Sequence, residues 1–395
     1  MSRKATAATP LTIFGISFLL AALSPLPVRS DNGAPVVVVP PMTLGKSGVI
    51  YRNPTVAVAP DGAVTIAAES GPTNGSRLVV ADLSAAGVGE AVTLDFAGPG
   101  DCSEPSLTYD SSGTLHLVWS ERRAEAHVIR YVRRLPGKQW HDEGIISTTS
   151  ALECEFPLVA CDRSGRVWAT WQAGYTTQYA VYLAWRDGVS SAVLDMTGAR
   201  GDHHNLYPQL FPDSPYPVVW YEETGNSFRL RSAVPAPSRT TFEIVSPLDF
   251  DRLDVNQMPW LFQAPTGMLG GVWTDLVDNR VRVLMGFQSA LSRGEGLVAD
   301  STLSGDAAQP FAVAVGEETV ALAWTSRLPT GSAVFVGRVD GSSRVGPSLA
   351  LPLPADDSFA RPRLVAGGGR LVHCVWFSDA SRGGRGSLYY AALRF

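Results

Sequence analysis

The sequence predicts an all-β protein: a seven-bladed β-propeller with four-stranded antiparallel blades, whose ring is closed by an N-terminal strand. Three observations predict this fold. A proline-anchored hairpin recurs at a constant interval, a tryptophan ends almost every hairpin, and a β-rich stretch lies unassigned near the N-terminus. The composition agrees, because 38 Gly and 28 Pro with only 17% charged residues favour short strands and tight turns over helices.

The recurring hairpin begins at a proline. Successive repeat prolines are 51, 52, 51, 51, 51 and 52 residues apart, at Pro54, Pro105, Pro157, Pro208, Pro259, Pro310 and Pro362. Six of the seven hairpins end at a tryptophan, namely Trp119, Trp171, Trp220, Trp273, Trp324 and Trp376. In the first hairpin Ala68 stands at that place. Two short apolar strands joined by a Gly- or Asp-containing turn, as at Asp61-Gly62, are typical of a β-hairpin.

Two further strands complete each unit. A third strand follows every hairpin, as at 77–83 (RLVVADL), and a weaker fourth follows in units one to six, as at 91–96 (AVTLDF). The seventh unit ends at Phe395 inside its third strand, so one strand is missing. We predict that Pro35–Val39 (PVVVV) supplies this outer strand, because an unclosed ring would leave exposed strand edges.

Residues 1–30 have the pattern of a secretory signal peptide. Two basic residues near the start precede an apolar stretch (11–23), and we place cleavage after Ser30. The stretch is shorter than the roughly 20 apolar residues that a spanning helix needs, although an uncleaved membrane anchor is the alternative. We therefore expect a signal peptide followed by one propeller domain (31–395), in a secreted or periplasmic protein.

The net charge and the pI of the chain indicate which classes of binding partner to expect. The net charge is -5 and the sequence pI about 5.7, which disfavours nucleic-acid binding. No later segment has transmembrane length, so we expect no membrane insertion after signal cleavage. We expect a monomer whose partner is a glycan or an extracellular protein. We expect no cofactor, and leave open a structural cation at the acidic axis.

Function is expected where the repeats differ. Strand parity brings the residues before each proline and the residues after each tryptophan to one face, around the propeller axis, while the tryptophans pack between blades. This face is rich in charge although the whole chain is charge-poor, which predicts a polar binding site; the alternative is a solvated rim. The predicted ligand-binding residues are Arg52, Glu69, Glu104, Glu121, Arg122, Gln172, His204, Tyr207, Glu222, Asp275 and Arg361.

The cysteines allow one structural prediction. Cys102 and Cys154 each lie three residues before a repeat proline, in adjacent units. Equivalent positions close to the axis of neighbouring blades would be about 6 Å apart, within disulfide reach. We therefore predict a Cys102–Cys154 disulfide, and expect Cys161 and Cys374 to be buried thiols.

The segment 49–70 (VIYRNPTVAVAPDGAVTIAAES) resembles the opening of sialidases, where a Tyr/Phe-Arg-Ile-Pro motif begins the first blade. The segment 129–140 (IRYVRRLPGKQW) and the proline-to-tryptophan rhythm are similar to secreted sialidase-like propellers with BNR-type repeats. The resemblance implies that Arg52 matches the first arginine of the triad that binds the sialic acid carboxylate. Asn53 replaces the isoleucine of the motif, and seven units replace the six blades usual in that family.

The sialidase resemblance also implies a general-acid aspartate in the loop after Glu69. That loop, 70–77 (SGPTNGSR), is followed by no acid before Asp82, and no intact S-x-D-x-G-x-T-W Asp box is present in the sequence. A glycosidase needs an acid to protonate the leaving group. We therefore favour a binding module over an enzyme.

A second segment, 201–208 (GDHHNLYP), resembles the His-Asn-containing loop of seven-bladed polysaccharide lyases of the ulvan type. In that family a histidine and a tyrosine assist carboxylate neutralisation and proton abstraction. The resemblance implies these roles for His204 and Tyr207, with Tyr221 as a further matching group and Arg52 or Arg122 as carboxylate partner. If the chain is an enzyme, a lyase or a glycoside hydrolase, its catalytic candidates are His204, Tyr207, Tyr221, Arg52 and Glu222.

The plainer reading of the same loop is two exposed histidines. His203 and His204 alone make a weak metal site, because adjacent histidines seldom reach one ion without further ligands, so no metal site is predicted.

Overall fold

The computed structural model describes most of the chain beyond the predicted signal peptide (1–30), which lies outside the described residues together with His203. The described ranges are 34–45, 48–72, 75–84, 87–88, 92–94, 101–137, 139–147, 153–175, 178–186, 191–196, 204–225, 227–235, 242–245, 259–287, 296–299, 307–317, 319–328, 331–341, 344–353, 360–378 and 386–395. Within these ranges no helix is long and apolar enough to cross a membrane; the helical element is the 3-10 turn Gly368–Arg370.

The strands form seven antiparallel blades, which confirms the predicted fold class. The chain begins with strand β1 (Val36–Leu44), and blade 1 consists of β2 (Tyr51–Val58), β3 (Val64–Ser70), β4 (Arg77–Ser84), β5 (Gly87–Val88) and β6 (Val92–Thr93). Blade 2 consists of β7 (Cys102–Tyr109), β8 (Leu115–Arg123), β9 (Ala126–Arg134) and β10 (Trp140–Ile145). Blade 3 consists of β11 (Glu153–Cys161), β12 (Val167–Tyr175), β13 (Gln178–Arg186) and β14 (Ser191–Asp195).

Blades 4 to 7 continue the same order from the axis outward. Blade 4 consists of β15 (Asn205–Leu210), β16 (Val218–Thr224), β17 (Ser227–Pro235) and β18 (Phe242–Val245), and blade 5 of β19 (Trp260–Gln263), β20 (Leu269–Val277), β21 (Arg280–Phe287) and β22 (Leu297–Val298). Blade 6 consists of β23 (Ala307–Ala314), β24 (Thr319–Leu328), β25 (Gly331–Asp340), β26 (Arg344–Val345) and β27 (Leu349–Pro352). Blade 7 contains β28 (Arg363–Ala366), β29 (Leu371–Phe377) and β30 (Leu388–Arg394). In blades 1 and 6 two short strands share the outermost position.

The N-terminal strand closes the ring. Strand β1 pairs antiparallel with β30, from Val36 opposite Arg394 to Leu44 opposite Leu388, and the last sheet has the order β1-β30-β29-β28. The prediction that the stretch at 35–39 supplies the missing outer strand is therefore confirmed. Pairing the two ends of the chain in one blade covers the edge of β30 that would otherwise be open.

The repeat tryptophans pack between blades, as expected. Five of them are at most 1% exposed, and Trp273 is 4% exposed. Trp119, for example, lies in one buried cluster with Leu78 and Leu94 of the preceding blade. Burying a large aromatic ring at each blade interface contributes roughly 1.5–3 kcal/mol per side chain, so this repeated position is scaffold.

The predicted disulfide is wrong. No disulfide joins Cys102 and Cys154: both side chains are thiols, and both are buried. Cys102 lies in the cluster between blades 1 and 2 with Leu78, whereas Cys154 lies in the cluster between blades 2 and 3 with Val118. Each thiol points into the core facing its own preceding blade rather than toward the axis, so blade 2 separates the two sulfur atoms.

The other two cysteines differ from each other. Cys374 is fully buried as expected, whereas Cys161 is only partly buried. Burial raises the pKa of Cys161 to about 12, and likewise raises the pKa of Cys102 to about 12 and of Cys154 to about 11. Thiols held in this protonated form are poor nucleophiles.

The innermost strands carry a feature that the sequence did not reveal. Among the described residues, the residue before the repeat proline is left-handed in five blades: Asn53 (φ 45), Glu104 (φ 54), Phe156 (φ 51), Tyr207 (φ 51) and Gln309 (φ 54). At the same point the register between the first two strands shifts, as in a β-bulge. A left-handed conformation costs a non-glycine residue roughly 1–2 kcal/mol, so other contacts must hold these residues in place.

Candidate functional site

The first two strands of each blade bring the predicted polar residues to one end of the propeller. Arg52 lies opposite Glu69, and Asn205 opposite Glu222, at the point where the first strand begins and the second ends. The Arg122 amide likewise donates to the Asp101 carbonyl in blade 2, at 2.8 Å. We call this end, from which the first strands start, the axial face.

Arg52 is engaged by its own blade. Its Nε donates to Glu69 Oε2 at 3.1 Å, and Nη1 and Nη2 donate to the carbonyls of Gly71 (3.1 Å) and Pro72 (3.3 Å). Glu69 is 3% exposed, and its Oε1 accepts a hydrogen bond from Asn53 Nδ2 at 2.7 Å. The positive charge of Arg52 is therefore balanced by a buried carboxylate.

Side-chain acceptors link the blades around the axis. The backbone N–H of Glu104 donates to Glu69 Oε1 (2.8 Å), and that of Phe156 donates to Glu104 Oε2 (2.6 Å). The N–H of Tyr207 donates to Gln172 Oε1 (3.0 Å). Each donor belongs to a left-handed residue and each acceptor to the preceding blade. These bonds explain how the strained residues are held in blades 2 to 4.

The carboxyl group of Glu104 is electrostatically unusual. Burial raises its pKa to about 7, the negative charges of Glu155 and Glu69 add to the effect, and the Phe156 N–H opposes it. The pKa of Glu155 is raised as well, by burial and by Glu153. A carboxyl group that titrates near neutral pH beside a second carboxyl group is the kind of pair found at functional sites.

Aromatic side chains lie next to these carboxylates. Tyr207 is 41% exposed, and its ring meets the ring of Phe156 edge to face at a centroid distance of 5.0 Å. The Tyr179 ring lies 5.8 Å from the His204 ring, and its hydroxyl donates to Glu153 Oε2 at 3.3 Å. The pKa of Tyr179 is raised by burial and by the charges of Glu155 and Glu153.

We call this assembly the axial site. It consists of Arg52, Glu69, Glu104, Glu155, Phe156, Gln172, Tyr179, His204 and Tyr207. Six of these residues were predicted from the sequence, whereas Glu155, Phe156 and Tyr179 were not among the predicted ligand-binding residues. Phe156 occupies the position before a repeat proline, which is the signal that could have found it.

Three predicted residues are instead paired within their own blades. Glu121 is fully buried, and its Oε1 accepts a hydrogen bond from Arg123 Nε at 2.6 Å. Glu222 Oε2 lies 2.7 Å from Arg231 Nη2. Arg122, whose side chain is 54% exposed, lies 3.8 Å from a carboxylate oxygen of Asp101.

The last two predicted residues lie in blades 5 and 7. Asp275 is opposite Arg282 in the second and third strands of blade 5, and its Oδ1 accepts a hydrogen bond from the Leu276 N–H at 2.7 Å. Arg361 lies over the Phe377 ring, 5.9 Å from the centroid. Both residues lie outside blades 1 to 4, which carry the axial site.

Tyr221 is unsuited to the solvent-facing role that the lyase resemblance implies. The side chain is 1% exposed, and its hydroxyl donates to the Pro259 carbonyl at 2.5 Å. Burial raises the pKa of this phenol. His204 and Tyr207, in contrast, both reach the axial site.

The described residues contain no group of three or more His, Cys, Asp and Glu side chains arranged to hold a metal ion.

Comparisons with known proteins bear on the fold of this chain and not on its chemistry. The sequence matches no protein-family model and no curated protein. A protein of unknown function from Dyadobacter fermentans aligns with TM-score 0.53 and 13% identity, over 79% of this chain and 99% of that one. A PL25 ulvan lyase bound to -[GlcA(1-4)Rha3S]- aligns with TM-score 0.52 and 9% identity, over 91% of this chain and 94% of that one.

The NanB sialidase from Streptococcus pneumoniae, as its K499G mutant, aligns with TM-score 0.49 and 10% identity, over 91% of this chain and 70% of that one. At such identities the first two of these likenesses show the propeller fold alone.

Proposed function

We propose that this protein is an exported propeller that binds a carbohydrate chain at the axial site. One observation carries the proposal: the exposed ring of Tyr207 shares the site with Tyr179, His204 and the partly buried Glu104. Sugars present apolar C–H faces and equatorial hydroxyl groups. Aromatic rings beside fixed hydrogen-bond acceptors are complementary to both.

The hydrogen bonds around the axis support binding without large rearrangement. The backbone of Tyr207 is held by Gln172 of the neighbouring blade, and the backbone of Phe156 is held by Glu104. Both rings therefore project from restrained positions. Rings that are already ordered lose less entropy when they meet a ligand.

Binding is tested with a glycan array, followed by titration calorimetry of the best ligand. We expect Tyr207→Ala to weaken binding about tenfold or more, which corresponds to about 1.4 kcal/mol. The matched control is Met268→Ala, an exposed apolar residue in the turn between β19 and β20 at the opposite end of a blade. Equal affinity of wild type and Tyr207→Ala would contradict the proposal, as would the absence of binding to any glycan on the array.

A second function, a carbohydrate-active enzyme using the same site, is favoured by the pKa of Glu104. A carboxyl group with a pKa of about 7 can both donate and accept a proton near neutral pH. In a lyase reaction on a uronate polysaccharide, His204 and Tyr207 would be the further candidates. The structural similarity to a PL25 ulvan lyase motivates that choice of substrate.

Catalysis is tested on uronate polysaccharides by following the ultraviolet absorbance of unsaturated products, and on neutral glycans by a reducing-end assay. If the site is catalytic, Glu104→Gln and Tyr207→Phe abolish product formation while the fold is retained. Binding without product by the wild-type protein leaves the binding module as the function.

Export is part of the proposal and has its own test. The apolar stretch at 11–23 and the expected cleavage after Ser30 support it. Expression of the full chain in a secretion-competent host should yield an extracellular or periplasmic protein whose N-terminal sequence begins at Asp31. Retention in the membrane with an intact N-terminus would contradict it.

A further inference from the structure

A second group of side chains lies on the innermost strands of blades 5, 6 and 7, whereas the axial site is built from blades 1 to 4. Trp260, Phe311 and Arg363 each directly follow a repeat proline. The guanidinium carbon of Arg363 lies 5.1 Å from the Trp260 ring centroid and 5.0 Å from that of Phe311. The two rings are themselves 4.5 Å apart.

These contacts place the guanidinium group in the central channel. Arg363 begins the first strand of blade 7 and Trp260 begins that of blade 5, so blade 6 separates them in the ring. Blades that are not neighbours approach each other only at the axis. Because β28 starts at Arg363, the side chain lies toward the end of the channel that opens on the axial face.

No negative charge balances Arg363 within the described part of the chain. Its hydrogen bond is from Nη1 to the carbonyl of the adjacent Pro362, at 3.2 Å. Burial, together with the positive charge of Arg361, lowers its pKa to about 10. Enclosed charges in proteins are normally paired, because an isolated one loses its hydration without compensation.

A guanidinium group carries five N–H donors in its plane. Among the described residues Arg363 makes the one bond to Pro362, so its remaining donors can bind a ligand. This planar fork matches the oxygen atoms of a carboxylate or a sulfate group. The channel residues thus supply a positive charge, directed donors and apolar walls.

We infer that the central channel is an oxyanion-binding site centred on Arg363, with Trp260 and Phe311 as its walls. The oxyanion is either free inorganic sulfate or the carboxylate or sulfate group of an acidic sugar. This site is distinct from the axial site, whose own arginine is already paired with Glu69. The inference does not depend on the proposed function.

The test is titration calorimetry of the full mature protein with two probes, sodium sulfate and sodium glucuronate, at near-neutral pH and low ionic strength. We expect Arg363→Gln to weaken binding of the probe about tenfold or more, since the variant removes the charge that strengthens the hydrogen bonds to an oxyanion. Arg363→Lys should recover only part of the affinity, because it restores the charge without the planar fork. The matched control is Arg163→Gln, whose side chain is 85% exposed.

The two probes separate the sources of the anion. Binding of sulfate and glucuronate alike indicates a general oxyanion site, whereas binding of glucuronate alone indicates recognition of an acidic sugar. Failure of both probes to bind overturns the inference, as does equal affinity of wild type and Arg363→Gln. A crystal of the wild-type protein soaked in sodium selenate provides an independent measurement, since its anomalous signal must lie beside Arg363.

Discussion

Replacing Glu104 by Gln should change how the stability of this protein depends on pH. The pKa of this carboxyl group rises from 4.5 to about 7 in the folded protein, mainly through burial and also through the charges of Glu155 and Glu69. Because the folded state holds the proton more tightly, the group favours folding at low pH. That contribution is fully present below pH 4.5 and is lost as the pH rises through about 7.

The size of the effect follows from the two pKa values. A tenfold change in proton affinity corresponds to about 1.4 kcal/mol, so a rise from 4.5 to about 7 amounts to about 3 kcal/mol. Glutamine cannot ionise, yet its side-chain oxygen can still accept the hydrogen bond from the Phe156 N–H. The variant should therefore lack the loss of stability that the wild type shows between these pH values.

The assay is urea unfolding of both proteins at several pH values from about 4 to 8. We expect the free energy of unfolding of Glu104→Gln to exceed that of the wild type by an amount that grows with pH, to about 3 kcal/mol. Glu222→Gln serves as the control, since it replaces a glutamate paired with Arg231 outside the axial site. A wild-type-minus-variant difference that stays constant with pH would refute the reasoning.

Three further predictions concern the scaffold. His373 is 4% exposed and burial lowers its pKa to about 4, so stability should fall as the pH drops below the ordinary value of 6.5, by up to about 3 kcal/mol, and acid unfolding of His373→Gln should lack this component. Deleting residues 31–45 removes β1 and should abolish cooperative melting in calorimetry; an unchanged melting transition would contradict ring closure by this strand. Arg134 donates through Nη1 and Nη2 to both carboxylate oxygens of Asp82 in the neighbouring blade, so Arg134→Met should lower the free energy of urea unfolding by about 2 kcal/mol or more, and no change would show that this link is not stabilising.

Repetition made the architecture of this chain readable from its sequence. The prolines recur every 51 or 52 residues because each blade is one complete four-stranded unit. The tryptophans occupy equivalent positions because each blade buries the same face against its neighbour. The missing outer strand of the seventh unit then predicted that β1 would complete it. These inferences depend on local periodicity and strand count.

The axial site was predicted only in part, because strand parity gives the end of a blade but not the direction of a side chain. The left-handed bulge before the prolines redirects the chain at Glu104, Phe156 and Tyr207. The burial of Tyr221 and the lack of a disulfide between Cys102 and Cys154 likewise depend on which neighbouring blade each side chain faces.

The sequence by itself determined the number of blades, their strand order, the closure of the ring and the end that carries the polar residues. Only the tertiary structure decided which of those residues meet, since the contacts from Glu69 to Glu104 and from Arg363 to Trp260 join different blades. The pKa of Glu104 arises in the same way, from burial and from charges that folding brings to it. The periodicity of the sequence reflects how each blade is built. The interaction energies of the side chains at the axis depend instead on distances between residues of different blades.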